Sequence, residues 1–237
     1  MTAATMRSPP EGGSLAHIRG VVFDFDLTLA DSATAVVECA NSALSRLGMK
    51  TADFEAVRRT IGLPLPLTFR ALTGVHDPAL EKEFATLFVR RADEVMLDWV
   101  TIYAGVPAMC ASLRDAGMHL AIVSTKFRYR IESILAKAAL LGTFEVIVGG
   151  EDVKEHKPHP EGLLRALERL GVPPAQALYV GDHPLDGETA ARAGTSFVAV
   201  RTGSRPPEIW DNAASIRAID RAAELGNLLL DSQQRRR

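Results

Sequence analysis

Residues 18–31 read Ile-Arg-Gly-Val-Val-Phe-Asp-Phe-Asp-Leu-Thr-Leu-Ala-Asp. The first half is a β-branched and aromatic run, apolar at consecutive positions, as expected of a strand buried on both faces of a parallel sheet. It ends in two acids separated by one residue. An extended chain sends alternate side chains to the same side, so the spacing predicts Asp24 and Asp26 together at the strand's carboxyl end. Two carboxylates closing an apolar strand are costly unless something cationic compensates them.

Working outward, similar short apolar runs recur at residues 119–124, 144–148, 177–180 and 197–200. Helical patterns at 106–117, 130–141 and 160–171 lie between them, each ending at or near a glycine, a common helix stop. Strand and helix in alternation imply right-handed crossovers, hence an α/β fold with a Rossmann-like, mostly parallel sheet core. Residues 32–100 break the alternation. They carry helical patterns at 33–47, 52–61, 65–72 and 78–99 and no convincing strand. Roughly 70 residues exceed a crossover and suit a small domain, so an inserted α-helical cap domain is expected there. The expected division is a flexible tail over 1–16, a core from 17–31 and 101–237, a cap over 32–100 and a returning hinge at Tyr103-Ala104-Gly105. The stretch 213–230 reads as an amphipathic helix packed on the core.

Composition narrows the function classes. The 237 residues carry 27 Lys+Arg and 29 Asp+Glu, a net charge of −2. Neither a strong field nor a basic stripe is present, so no nucleic-acid partner is expected. No apolar stretch approaches a bilayer span and the N-terminal residues lack a signal-peptide core, so no membrane association and a cytoplasmic location are expected. Cys39 and Cys110 sit within helical patterns and read as small buried hydrophobes rather than a disulfide. A monomer or homodimer is expected.

Ligands of open α/β sheets bind at the strands' carboxyl ends. Here those ends carry Asp24 and Asp26, then Ser124, then Lys157 in His-Lys-Pro-His-Pro, then Asp182 and Asp186 in Gly-Asp-His-Pro-Leu-Asp. Carboxylates gathered so closely repel one another, and a hard divalent cation resolves the repulsion. Mg²⁺ fits best, since it takes oxygen ligands and commonly binds through one or two carboxylates plus a substrate phosphate. Ser124 and Asp186 could also serve as caps of the helices that follow them.

Asp24-Phe25-Asp26-Leu27-Thr28, Ser124, Lys157 and Gly181-Asp182 with Asp186 resemble, in order and spacing, the four motifs of the haloacid dehalogenase-like superfamily of phosphohydrolases. The resemblance implies that Asp24 is the nucleophile, forming an aspartyl-phosphate, and that Asp26 is the general acid and base. It implies that Ser124 and Lys157 hold phosphoryl oxygens. The metal set would be Asp24, the Asp26 carbonyl and Asp182, with Asp186 orienting them. A haloalkanoate leaves without needing a proton, so Asp26 argues for a phosphatase over a dehalogenase. Thr60-Ile61-Gly62-Leu63-Pro64-Leu65 resembles the cap loop of phosphoglycolate phosphatase-like members. Gly62, Thr28, Thr125 and Lys126 are therefore candidate substrate-binding residues, and Arg58, with Arg59 and Arg70, a candidate anion clamp. The expected substrate is a small phosphorylated metabolite, phosphoglycolate-like, with pyrophosphate, sugar phosphates and nucleoside monophosphates as alternatives. A dehalogenase and a catalytically silent binding module remain as other classes. Leu27, Thr125 and His183 depart from the subfamily pattern.

Overall fold

The computed structural model describes residues 15–203 and 217–234. Six strands form one parallel sheet: β1 (Gly20–Phe23), β4 (His119–Val123), β5 (Val146–Val148), β6 (Ala177–Gly181), β7 (Ser196–Val200) and β8 (Arg217–Ile219). Their order across the sheet is β5-β4-β1-β6-β7-β8. The chain thus builds to one side of β1 and then returns to its other flank, which leaves a crevice at the carboxyl ends of β1 and β6. Gly20 is level with His119 on β4 and Ala177 on β6, and Phe23 with Ile122 and Val180.

β1 separates two apolar layers. Val21 and Phe23 join the larger cluster, while Val22 faces the smaller one with Ala121 and Tyr179. All four residues of β1 are buried, which is why the run is apolar without alternation. The helices α5 (Val106–Asp115), α6 (Arg128–Lys137), α7 (Glu161–Leu170), α8 (Pro184–Ala193) and α9 (Leu225–Gln234) flank the sheet.

Between β1 and β4 the chain forms α1 (Ala33–Arg46), α2 (Phe54–Arg58), α3 (Leu65–Thr73) and α4 (Pro78–Trp99). A short antiparallel ribbon closes their base, pairing β2 (Ala30–Asp31) with β3 (Thr101–Ile102). Asp53 and Asp77 cap α2 and α4 through their carboxylates, satisfying otherwise orphaned N–H groups. A bidentate Arg70–Glu81 pair at 2.6 and 2.9 Å ties α3 to α4. No helix among the described residues is long and apolar enough to cross a membrane.

Three expectations require correction. The tail was drawn to residue 16, yet Leu15–His17 forms a 3-10 turn whose Leu15 is buried; residues 1–14 lie outside the described residues. Of the helix expected over 213–230, residues 213–216 lie outside the described residues, Arg217–Ile219 pairs with β7, and the described helix spans Leu225–Gln234. Arg217-Ala218-Ile219 is too short to show either period, and the edge of β7 decides for the strand. Helix α8 starts at Pro184, so Asp186 lies in its first turn and His183 is the cap; likewise Phe127, and not Ser124, caps α6.

Candidate active site

The extended chain stops at Phe23. Beyond it the Phe25 carbonyl accepts from the N–H groups of Thr28, Leu29 and Ala30, winding the segment into a tight loop. Leu27 adopts φ +56° within it, a left-handed conformation where the family's motif usually has glycine, and its side chain is 1% exposed. This turn separates the two acids that an extended chain would keep on one side. Asp24 points into the sheet crevice and Asp26 toward the helical insertion.

At the crevice Lys157 bridges two carboxylates. Its Nζ lies 3.0 Å from Asp24 Oδ2 and donates to Asp186 Oδ1 at 2.6 Å. Tyr179 also donates to Asp186 Oδ1 at 3.2 Å, and the His183 N–H to Oδ2 at 3.0 Å, so Asp186 is fully engaged at the start of α8. A Cβ at Gly181 would collide with the Asp186 carboxyl, so the glycine permits this close approach. Thr28 Oγ1 donates to Asp182 Oδ1 at 3.0 Å, and Gly203 leaves so little space that a Cβ there would lie 2.5 Å from Asp182 Oδ2.

The electrostatics follow from burial. Asp24 is pushed up to about 6, chiefly because it is removed from water; the Lys157 ammonium opposes this, and Asp186 and Asp26 add to it. A hydrogen bond from Ser124 also favours the Asp24 carboxylate. Asp182 is held well above the ordinary carboxylate range by burial and then by Asp186 and Asp24. For Lys157 burial disfavours charge, but Asp186 and Asp24 outweigh it and hold the ammonium well above its ordinary value.

Asp24, Asp182 and Asp186 are all buried and present oxygens within 4.8 Å of one another. One ammonium does not neutralise three carboxylates, and the two acids raised above their normal range mark the shortfall. An all-oxygen donor set short of positive charge fits Mg²⁺. Asp24 and Asp182 would hold it, with Asp186 positioning the surrounding groups through Lys157. The Asp26 carboxylate is not in this group, so any ligation by Asp26 falls to its main-chain carbonyl, as the resemblance implies.

Asp26 faces the other way. The Lys126 ammonium is 2.9 Å from its Oδ1 but off the hydrogen-bonding direction, so that oxygen is ion-paired and not hydrogen-bonded. Lys126 Nζ also donates to Met96 Sδ of α4 at 3.3 Å. Asp26, Thr125 and Lys126 line a partly open cavity of about 290 Å³, walled on the side of the insertion by the Gly62 loop and α4. Gly62 lies across from the His183 ring. Arg58 is not in the cavity wall. Its guanidinium donates to the Thr202 and Gly203 carbonyls at 3.3 and 2.9 Å, where it joins the insertion to the loop beside Asp182. The clamp role expected of Arg58 is therefore replaced here by a junction. Arg70 is held by Glu81, and Arg59 is exposed and outside the wall.

Tyr179, Met96 and Arg130 escaped the sequence reading. Tyr179 carries a signal, a hydroxyl inside an otherwise apolar strand just before Gly181-Asp182. Met96 and Arg130 read as ordinary helix residues. Both cysteines are buried and free, and burial pushes each thiol up to about 12, which removes them from nucleophilic chemistry.

Known proteins resemble this chain over most of its length. A phosphoglycolate phosphatase of Xanthomonas campestris is 30% identical over 213 residues, covering 83% of this chain and 96% of its own. One from Salmonella typhimurium is 31% identical over 228 residues, covering 84% and 90%. The crystal structure of a haloacid dehalogenase-like hydrolase from Bacteroides fragilis superposes with a TM-score of 0.83 at 37% identity, covering 88% of this chain and 99% of that one. The family model described as haloacid dehalogenase-like hydrolase matches residues 21–200, and the chain belongs to that family.

Proposed function

We propose that the protein is a Mg²⁺-dependent phosphatase that hydrolyses a small phosphorylated metabolite through an aspartyl-phosphate. Asp24 attacks phosphorus as the ester P–O bond breaks, and Asp26 gives its proton to the departing oxygen. Asp26 then takes a proton from water as that water attacks the aspartyl-phosphate, releasing inorganic phosphate and restoring Asp24. Mg²⁺, when bound by Asp24 and Asp182, supplies charge neutralisation to the phosphoryl oxygens and the carboxylates. Lys157 and Ser124 hold the phosphoryl oxygens, and Thr28 orients Asp182. The helical insertion, residues 32–100, serves as a cap that excludes bulk water from Asp26. The relatives named phosphoglycolate phosphatases make 2-phosphoglycolate the reference substrate.

The observation carrying this reading is the division of the two acids: Asp24 among the buried carboxylates with Lys157, and Asp26 at the wall of a cavity where a leaving group would sit. A dehalogenase has no use for the second acid. Asp24→Asn tests it. Hydrolysis of p-nitrophenyl phosphate with Mg²⁺ should fall by at least about 10⁴-fold while circular dichroism and melting stay native-like. Retained turnover in that variant would remove Asp24 as nucleophile.

A further inference from the structure

We propose that the alcohol released from the substrate is apolar, an alkyl or aryl group of roughly ten to twelve non-hydrogen atoms, scaled from dry cavities of about 150 Å³ that take one benzene ring. The inference deepens the phosphatase reading and rests on it. Three observations lead to it: the size of the cavity beside Asp26, the chemistry of its walls and the state of every cation near it.

The cavity, about 290 Å³, far exceeds what the two-carbon glycolate group fills. Its walls are mainly aliphatic and aromatic. Val36, Ile61, Leu63 and Leu65 come from the insertion, and Phe127 from the loop before α6. Ala85, Phe88, Val89 and Met96 present one face of α4, spaced by three, one and seven residues as a helix requires. Met96 adds a soft, adaptable surface directly above the Asp26–Lys126 pair.

A carboxylate in the leaving group would need a cation, and the buried ones are committed. Lys126 lies 2.9 Å from Asp26 Oδ1 and donates to Met96 Sδ, so a leaving-group carboxylate would have to compete with Asp26 for it. Arg130 donates to Asp93 Oδ1 at 2.7 Å and to the Val89 carbonyl at 3.0 Å, and its guanidinium stacks 5.1 and 5.0 Å from the rings of Phe127 and Tyr129. Arg58 is turned to the Thr202 and Gly203 carbonyls outside the wall. His156 lines the cavity but is exposed to solvent. A polyol fares no better. The Thr60 hydroxyl donates to the Val57 carbonyl at 2.7 Å, leaving Thr68 and Thr125 as hydroxyls at the wall. An anionic or hydroxyl-rich alcohol would lose its hydration there without equivalent partners, whereas an apolar one gains by leaving water.

The test is kcat/KM across the n-alkyl phosphates from ethyl to dodecyl, whose leaving groups differ little in reactivity, beside 2-phosphoglycolate, glycerol phosphate and p-nitrophenyl phosphate. The expected result is a rise of about fourfold per methylene until the cavity fills, with hexyl phosphate at least about a hundredfold above 2-phosphoglycolate. Ala85→Leu, which adds bulk to the α4 wall of the cavity, should move the optimum to shorter chains and lower kcat/KM for the longest ones most. A flat series, a preference for 2-phosphoglycolate or glycerol phosphate, or an unmoved optimum in Ala85→Leu overturns the inference. If p-nitrophenyl phosphate is turned over but the series is flat, only the inference falls; if no ester is hydrolysed, the phosphatase reading falls with it.

Discussion

Lys157 and Lys126 are both buried lysines paired with an aspartate of the β1 loop, yet their neighbourhoods differ. Lys157 stands between Asp24 and Asp186 with the Tyr179 hydroxyl beside it. Lys126 stands between Asp26 and the thioether of Met96, with an aliphatic cavity beyond. The first neighbourhood comes from the ends of four parallel strands, held by short fixed segments. The second is assembled where the insertion meets the core, from helix faces and one loop. In the proposed mechanism the nucleophile Asp24 belongs to the first, whereas the acid and base Asp26 faces the second, where the leaving group would lie.

The largest expected break is at Lys157. Lys157→Ala would leave Asp24, Asp182 and Asp186 without their ammonium, and kcat/KM should fall about a thousandfold. Removing one partner of a buried ion pair should also cost about 3–5 kcal/mol of stability, read by urea unfolding without metal. A loss below tenfold together with unchanged stability would show that the crevice does not depend on this compensation.

Metal sharpens the comparison at intermediate size. In the metal-free protein Asp24 is pushed up to about 6, so its protonated form contributes stability that is complete below pH 4 and lost as pH rises through 6. Mg²⁺ should replace that contribution at high pH and compete with protons at low pH. At a hundred times its dissociation constant it should add about 2.7 kcal/mol, raising Tm by roughly 5–10 °C at pH 8 and much less at pH 5. Equal shifts at both pH values in a thermal-melt titration would contradict the placement of the ion among these carboxylates.

The smallest effect belongs to the junction. Arg58→Ala removes two hydrogen bonds to the Thr202 and Gly203 carbonyls, worth about 1 kcal/mol together, so kcat/KM should drop about threefold to tenfold. An anion clamp would behave differently, losing far more activity toward carboxylate-bearing substrates than toward neutral ones. Parallel assays on 2-phosphoglycolate and an alkyl phosphate separate the two roles.

How far the sequence revealed this arrangement depends on how local each signal is. Asp24, Ser124 and Asp182 directly follow apolar runs, so the strand ends alone bring them to one edge of the sheet, and Lys157 and Asp186 come from the segments after β5 and β6. The direction of Asp26 was not legible, because it depends on a loop in which Leu27 takes a conformation rare for its residue type. Arg58 reads as a free cation on a helix until the Thr202 and Gly203 carbonyls, 144 and 145 residues later, are folded against it. The cavity walls were still less visible. Val36, Phe88 and Met96 are ordinary members of apolar helical patterns and Phe127 precedes one, and only tertiary packing brings them to the cavity.

Leu27 has a further consequence for how this loop can vary. Its backbone is strained by about 1 kcal/mol in the left-handed region, while its buried side chain fills space that would otherwise be empty. Alanine would keep the strain and forfeit the filling, whereas glycine would forfeit the filling and shed the strain. The smaller truncation is thus the worse one, and leucine and glycine stand as two separate solutions with a stability valley between them.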